Sequence, residues 1–335
     1  MDSLGFDRSG TRFGERYRLE RRLGVGGMGE VYLAHHEALG VVRALKVLRA
    51  TVAPEIRPLE RLRREARTLA AVNHPNVVTV HDLESANGEL ALVMEFVAGE
   101  TLQTHVLRSG SLPPSVVAPL LDGIAAGLDA IHAAGILHRD LKPSNVLLAP
   151  AANRELIPRI VDFGIARPIS DAEQLTAPQF VLGTPAYMSP EQAAALPLDQ
   201  RADVFSLTCV VAFMLSGCTP STPRGSSPDL SSWPYASTWS ESICSVLRAG
   251  FQRFHEDRPS SGGELARLFR DALAVDEATE SREISPRRSH REQVVAPITE
   301  VIAREPQVQG WTRWATWYLV AGAGVFVGFL LSLLY

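Results

Sequence analysis

The sequence predicts an α+β fold of two unequal lobes, a small antiparallel-sheet lobe with one helix and a larger helical lobe, followed by a C-terminal transmembrane helix. Three observations carry this expectation. Short β-branched runs separated by turn residues fill the chain up to Gly99, helical apolar spacing dominates after it, and the stretch from Ala315 to Tyr335 has no charged residue.

Composition sets the outer bounds. The 335 residues carry a formal net charge of −4, with length for one large or two ordinary domains. Lys and Arg are dispersed instead of gathered in a stripe, so no nucleic-acid partner is expected. Cys209, Cys218 and Cys244 form no C-x-x-C pair, which fits buried, inert thiols in a reducing compartment. The first residues show no signal peptide, since Asp2, Arg8 and Arg12 interrupt any apolar run.

In chain order, residues 1–14 are polar and expected to be flexible. Strands are expected at Tyr17 to Gly24, Glu30 to His35 and Val41 to Leu48, then an amphipathic helix from Leu59 to Val72 on Leu62, Ala66 and Leu69. Strands near Val77 to Leu83 and Leu90 to Phe96 complete the first lobe, about 15–98. Helices are expected at Pro119 to Ala134, Val204 to Ser216, Ser240 to Phe251 and Gly262 to Leu273, giving a second lobe of about 99–274.

The remainder divides into a polar linker, 275–312, and a membrane span, 313–335. As a helix, its uncharged 21 or so residues would extend about 31 Å, the thickness of a bilayer core. Trp311, Trp314, Trp317 and Tyr318 stand at its entrance, where amphipathic rings prefer the interface. The expected partner is therefore a lipid bilayer, the expected location the cell membrane with the lobes on its cytoplasmic face, and the expected role of the span an anchor without an outer sensor domain. Gly324 and Gly328 form a G-x-x-x-G spacing that would allow a homodimer through the span.

Chemistry enters at Leu23–Ala34, "LGVGGMGEVYLA". Gly24, Gly26 and Gly29 match G-x-G-x-x-G, a spacing shared by dinucleotide folds and ATP-covering hairpins. The loop leads into the strand Val31-Tyr32-Leu33 instead of a helix, which removes the dinucleotide context. A hairpin of this kind presents bare amides to phosphates and needs a cation nearby. Lys46 of "RALK" shares a strand face with Ala44 and supplies it, and Glu65 on the next helix is its expected counter-ion.

The window His138 to Asn145, "HRDLKPSN", is the most specific. Asp140 can accept a hydroxyl proton, Lys142 can neutralise a transferring phosphoryl group, and Asn145 offers an oxygen to Mg²⁺. Five specified residues in one such window have a chance expectation of about one in ten thousand. Asp162 of "DFG" adds a second metal-binding oxygen donor.

With these motifs the sequence resembles the eukaryotic-type protein kinases over about Tyr17 to Leu273. "GGMGEVYLA" and "NHPNVV" are most similar to the bacterial Hanks-type, membrane-anchored serine/threonine kinases. The resemblance implies a bilobal protein-kinase fold, ATP with Mg²⁺ (or Mn²⁺ in its place), and protein substrates including the chain's own activation loop. It implies that Leu23 and the three glycines cover the nucleotide, and that Val31, Ala44 and Leu147 enclose adenine. Met94 would back the pocket, while Glu95 and Val97 would offer hinge backbone contacts. Lys46 becomes the phosphate lysine with Glu65 as partner, Asp140 the catalytic base assisted by Lys142, and Asn145 with Asp162 the metal ligands. Glu191 would pair with Arg258, and Asp203 would brace the catalytic loop. Arg139 before the catalytic Asp implies control by an activation-loop phosphate, for which Thr176 is favoured over Ser170 and Thr184.

Two departures from the family pattern stand out. Arg43 replaces a usual valine on the face away from the cleft, and the Pro/Ser-rich segment Gly217 to Trp239 has no helical period where the family has a helix. His35, His36, His81, His105, His132 and His255 lack ligand spacing, and His74 and His138 are expected to be structural hydrogen-bonding residues. The alternatives to an active kinase are a pseudokinase scaffold, against which Lys46, Asp140, Asn145 and Asp162 all speak, and a small-molecule phosphotransferase, against which "GTPAYMSPE" speaks.

Overall fold

The alternation of buried and exposed residues along the first hundred positions builds a curved sheet with two different faces. The computed structural model describes residues 7–26, 29–48, 56–151, 155–162, 185–219, 228, 230, 233 and 236–284. Six strands form the first sheet: β1 (Arg12–Phe13), β2 (Tyr17–Gly26), β3 (Gly29–His36), β4 (Val41–Leu48), β5 (Val80–Ala86) and β6 (Glu89–Glu95). They pair antiparallel in the order β1-β2-β3-β4-β6-β5, with helix α1 (Ile56–Ala70) in the connection from β4 to β5.

Side-chain alternation assigns each strand residue a face. Tyr32, Ala34, Leu45, Val47, Ala91 and Val93 gather on the outer face with Phe13, Tyr17 and Leu19. On the inner face Ala44, Leu92 and Met94 join Ala66 and Leu69 of α1 in the core that continues into the second lobe. Leu23 lies at an irregularity of β2 between Arg22 and Gly24 and is 37% exposed.

The helical lobe contains α2 (Leu102–Ser109), α3 (Pro114–Ala133), the short α4 (Pro190–Ala193), α5 (Gln200–Ser216), α6 (Glu241–Gly250) and α7 (Gly262–Ile284). A small sheet of β7 (Glu100–Thr101), β8 (Val146–Pro150) and β9 (Leu156–Ile160) lies between the lobes in sequence order β7-β8-β9. The core helix is α5, whose residues from Ala202 to Ser216 are all buried. Its N-cap is Asp199, which accepts the Arg201 N–H, and Gly217 ends it in the left-handed conformation. α3 is long and apolar enough to cross a membrane by composition, but half of it is buried against the lobe's core, as in a soluble core helix.

Gly127 shows why α3 tolerates glycine. A Cβ there would lie 2.8 Å from the Asn76 carbonyl oxygen, so the bare helix face admits the loop between α1 and β5. Asn76 then donates from Nδ2 to the Pro158 carbonyl at 2.8 Å and accepts the Ile160 N–H at 2.8 Å, which fixes β9 against that loop.

Three expectations change. Residues 7–14 are held in place: Phe13 is 1% exposed, the Gly10 N–H donates to the Leu19 carbonyl, and the Leu19 N–H donates to the Thr11 carbonyl. The polar segment after Val275 is not linker at its start, because α7 runs on to Ile284 through residues of high helix propensity such as Ala278, Glu277 and Glu280. The small sheet and α2 were absent from the sequence expectation, their strands and helix being too short to show a period. The rest of the expected linker and the span 313–335 lie outside the described residues, as does Thr176. Among the described residues of 217–239 the regular structure is a 3₁₀ turn at Ala236–Thr238, with Trp233 stacked on Phe251 at 6.4 Å.

Candidate active site

Asp203 is the buried anchor of the site. It stands in the first turn of α5, 1% exposed, and its two carboxylate oxygens accept three hydrogen bonds. Oδ2 takes the His138 N–H and His132 Nε2–H, both at 2.8 Å, and Oδ1 takes the Arg139 N–H at 2.8 Å. Burial alone would raise its carboxyl, but the hydrogen bonds from His132 and the Arg139 N–H outweigh it and hold it below the usual range. One carboxylate thereby fixes the backbone entering "HRD".

The next residues follow from that clamp. Arg139 adopts φ +60°, a left-handed conformation that costs energy for a non-glycine residue and persists where surroundings impose it. His138 is fully buried; its Nε2–H donates to the Val161 carbonyl at 3.1 Å and its Nδ1 accepts the Asp140 N–H at 3.3 Å. Both ring atoms are thus used by a neutral imidazole, and burial pushes its pKa down. Asp140 Oδ2 receives Lys142 Nζ at 2.9 Å and Asn145 Nδ2 at 3.2 Å. Asn145 Nδ2 also donates to the Asp140 carbonyl at 2.8 Å, which leaves its side-chain oxygen as the atom to face a cation.

The second metal-ligand position is tied to the first through the backbone. Val161 N–H donates to the Asn145 carbonyl at 2.9 Å, and the next residue, Asp162, has φ +60°. Its Oδ1 lies 2.9 Å from Lys46 Nζ, which β4 brings from the other lobe. Asn145 and Asp162 are hard oxygen donors of the kind that would suit Mg²⁺. Asp162 is thus a carboxylate partner of Lys46 in this conformation. The left-handed turn at Asp162 brings its carboxylate to the amine in this conformation.

Above this group lies the glycine hairpin. Gly24 pairs with Val31 and Gly26 with Gly29 across β2 and β3, and a Cβ on Gly24 would meet nothing within 4 Å. Gly29 differs, since its Cβ would fall 2.0 Å from the Val47 carbonyl oxygen on β4. Bare space explains the first glycine and close strand approach the third. Val31 pairs with Lys46, and Ala44 with Met94, so all four share the inner face, since cross-strand partners do. Glu95 ends β6, Val97 packs against the core just after it, and Leu147 is half-buried on β8.

At the foot of the site Arg258 makes a two-pronged contact with Glu191, Nη1 to Oε1 at 2.6 Å and Nη2 to Oε2 at 2.9 Å. Ser189 N-caps α4 and forms a capping box with Gln192, whose Nε2 donates to the Arg139 carbonyl at 2.9 Å. A model of the protein kinase domain family matches residues 17–268, which contain every contact of this site.

The chain belongs to the protein kinase family. It is 46% identical over 207 residues to the serine/threonine-protein kinase pkn2 of Myxococcus xanthus, a match covering 61% of this chain and 25% of pkn2. To pkn3 of the same organism it is 34% identical over 315 residues, covering 89% of this chain and 57% of pkn3. The chain therefore spans a quarter to somewhat over half the length of these curated relatives. Among solved structures, the kinase domain of Mycobacterium tuberculosis PknI matches with a TM-score of 0.65 at 28% identity, covering 79% of this chain and 98% of that one.

Two members of the kinase site escape a motif search. His132 stands six residues before His138 and has no ligand spacing, yet it completes the Asp203 clamp, with its Nδ1 buried and unpartnered. Gln192 links the SPEQ turn to the catalytic loop. The capping-box spacing from Ser189 was the available signal for the turn, and nothing in the sequence indicates the contact to Arg139.

Proposed function

We propose that the chain is a serine/threonine protein kinase that transfers the γ-phosphoryl group of ATP to protein Ser or Thr hydroxyls, its own activation loop among them. The observation that carries this is the assembly of Asp140, Lys142 and Asn145 on one clamped loop, with Lys46 and Asp162 joined beside it. The substrate hydroxyl oxygen attacks the γ-phosphorus, a new P–O bond forms, the bridging β–γ P–O bond breaks, and ADP leaves. Asp140 takes the hydroxyl proton, and Lys142 offsets charge on the moving phosphoryl oxygens. Lys46 orients the nucleotide phosphates under the Gly24–Gly29 hairpin. Leu23, Val31, Ala44 and Leu147 enclose the adenine, with Met94 behind and backbone contacts from Glu95 and Val97. Asn145 and Asp162 would hold Mg²⁺, or Mn²⁺ in its place, which would supply positive charge against the negative charge that develops in the transfer.

Regulation belongs to the same reading. A phosphate on Thr176 would pair with Arg139 and order the loop, and Glu65 would pair with Lys46 beside Asp162. Residues 313–335 would anchor the kinase at the cytoplasmic face of the cell membrane, with Gly324 and Gly328 allowing a homodimer there. Transfer by the full chain to Ser/Thr peptides, compared with small hydroxylated molecules, tests the substrate class. Sedimentation of the full chain with membranes after alkaline washing, beside fragment 1–310, tests the anchor. Turnover of small molecules alone would overturn the first, and equal release of both proteins the second.

A further inference from the structure

The family match begins at Tyr17, and the ten described residues before it also pack onto the first sheet. Residues 7–13 cross the outer face of the sheet as a strap. Phe13 closes the outer apolar cluster, and the Arg8 guanidinium lies 5.7 Å from the centroid of its ring. That guanidinium also grips Glu89, at the start of β6, with Nη1 at 2.8 and 3.0 Å from the two carboxylate oxygens.

The strap then reaches the glycine hairpin through one phenol. The Arg8 backbone N–H donates to Tyr32 Oη at 3.2 Å, and Tyr32 Oη donates in turn to the Glu30 carboxylate. Glu30 is the neighbour of Gly29, and its carboxylate is 3.9 Å from Arg22 Nη1 on the opposite strand of the hairpin. The contacts therefore run from the strap to β3 and on to β2, on the face opposite Val31 and Lys46. The β3 arm of the hairpin pairs with β4 as far as Gly29, while on the β2 arm Leu23 and Val25 are 37% and 49% exposed. The β2 arm is the edge of the hairpin that the Arg22–Glu30 contact reaches.

We propose that the N-terminal strap, through Arg8 and Tyr32, positions the phosphate-covering hairpin and so sets the affinity for nucleotide. This rests on the reading of the cleft as an ATP site. Tyr32 touches no substrate and acts through Glu30 and the hairpin backbone, as a positioning residue. Arg8 holds the strap in place through Glu89.

The test uses the full chain with Tyr32→Phe, which keeps the ring and removes the bridging hydroxyl, and with Arg8→Ala, Arg8→Lys and Glu89→Ala. Direct binding of a fluorescent ATP analogue gives Kd, and steady-state assays give KM for ATP and kcat. Loss of one such contact predicts Kd and KM raised about three- to tenfold in Tyr32→Phe and Arg8→Ala, with kcat at saturating ATP within about twofold. Arg8→Lys recovers part of the loss, and Arg8→Ala combined with Glu89→Ala is no worse than either alone. Unchanged Kd in Tyr32→Phe and Arg8→Ala overturns the proposal, as does a fall in kcat that tracks a lowered unfolding temperature. If the wild type binds the analogue but transfers no phosphoryl group, the kinase reading fails while the Kd comparison still decides the strap. A wild type that binds no nucleotide overturns both.

Discussion

Arg258 and Glu191, 67 residues apart, form a two-pronged ion pair with the arginine 4% and the glutamate 7% exposed. The guanidinium also donates to the carbonyls of Arg201, Gln252 and Arg253 and lies 5.0 Å from the Phe205 ring centroid, so every part of it is engaged. It joins the end of the activation segment to α5 and to the turn before α7. Removing one partner of a buried pair leaves a desolvated charge behind, which costs about 3–5 kcal/mol. Arg258→Met is therefore expected to lower the unfolding free energy by that amount in urea titration. A loss under about 1 kcal/mol would contradict the assignment.

Lys46 on β4 and Asp162 just after β9 lie 2.9 Å apart, amine to carboxylate. Lys46 is largely buried but lies at the cleft, so its replacement by methionine preserves the packing of the stem. Lys46→Met is expected to keep the unfolding midpoint within a few degrees and to lower phosphoryl transfer by about a hundredfold or more. Thermal unfolding beside an activity assay checks both halves; normal activity would remove Lys46 from the nucleotide site.

The hairpin glycines should separate by mechanism. Gly29→Ala places a methyl where the Val47 carbonyl already stands, so the strands must part, at a cost of about 1–3 kcal/mol. Gly24→Ala meets open space and should leave stability within about 0.5 kcal/mol while weakening ATP binding. Denaturant unfolding and nucleotide titration on the two variants check this, and the contrast fails if they behave alike.

Acid should destabilise the catalytic loop in two stages. Burial holds His138 below its ordinary 6.5, so as pH falls past 6.5 the unfolded chain takes up the proton first and stability declines. The carboxyls of Asp203 and Glu191 are held below their ordinary 3.8 and 4.5: burial opposes this, and the hydrogen bonds from His132 and Arg258 respectively overcome it. Their stabilisation is present above those values and is lost as pH falls through the lower folded ones. Unfolding free energy should thus decline below pH 6.5 by at most about 1.4 kcal/mol per pH unit per proton, and fall further below pH 4.5. His138→Asn should flatten the first limb relative to its own value at pH 8. Stability that rises between pH 7 and 5.5 would contradict the account.

The chemistry was legible because its residues are close in sequence: Asp140, Lys142 and Asn145 occupy six positions, and their contacts are local. The strands of the first sheet were legible from their short β-branched runs and the turn residues between them. What brings distant residues together was not. His132 reaches Asp203 across 71 residues, Gln192 reaches Arg139 across 53, and no periodicity encodes either. The pairing of Glu191 with Arg258 was implied by family likeness alone. The strap escaped notice because Phe13 is a lone apolar residue among polar ones, and burial of one ring leaves no pattern.

The most direct measurement is transfer from radiolabelled ATP with Mg²⁺ by the full chain beside its Asp140→Asn variant, with phosphorylated residues mapped by mass spectrometry. The account predicts label on Ser and Thr in the wild type and a loss of about a hundredfold or more in the variant, which still binds nucleotide. Transfer that persists in Asp140→Asn, or a wild type that binds ATP and transfers nothing, would contradict it.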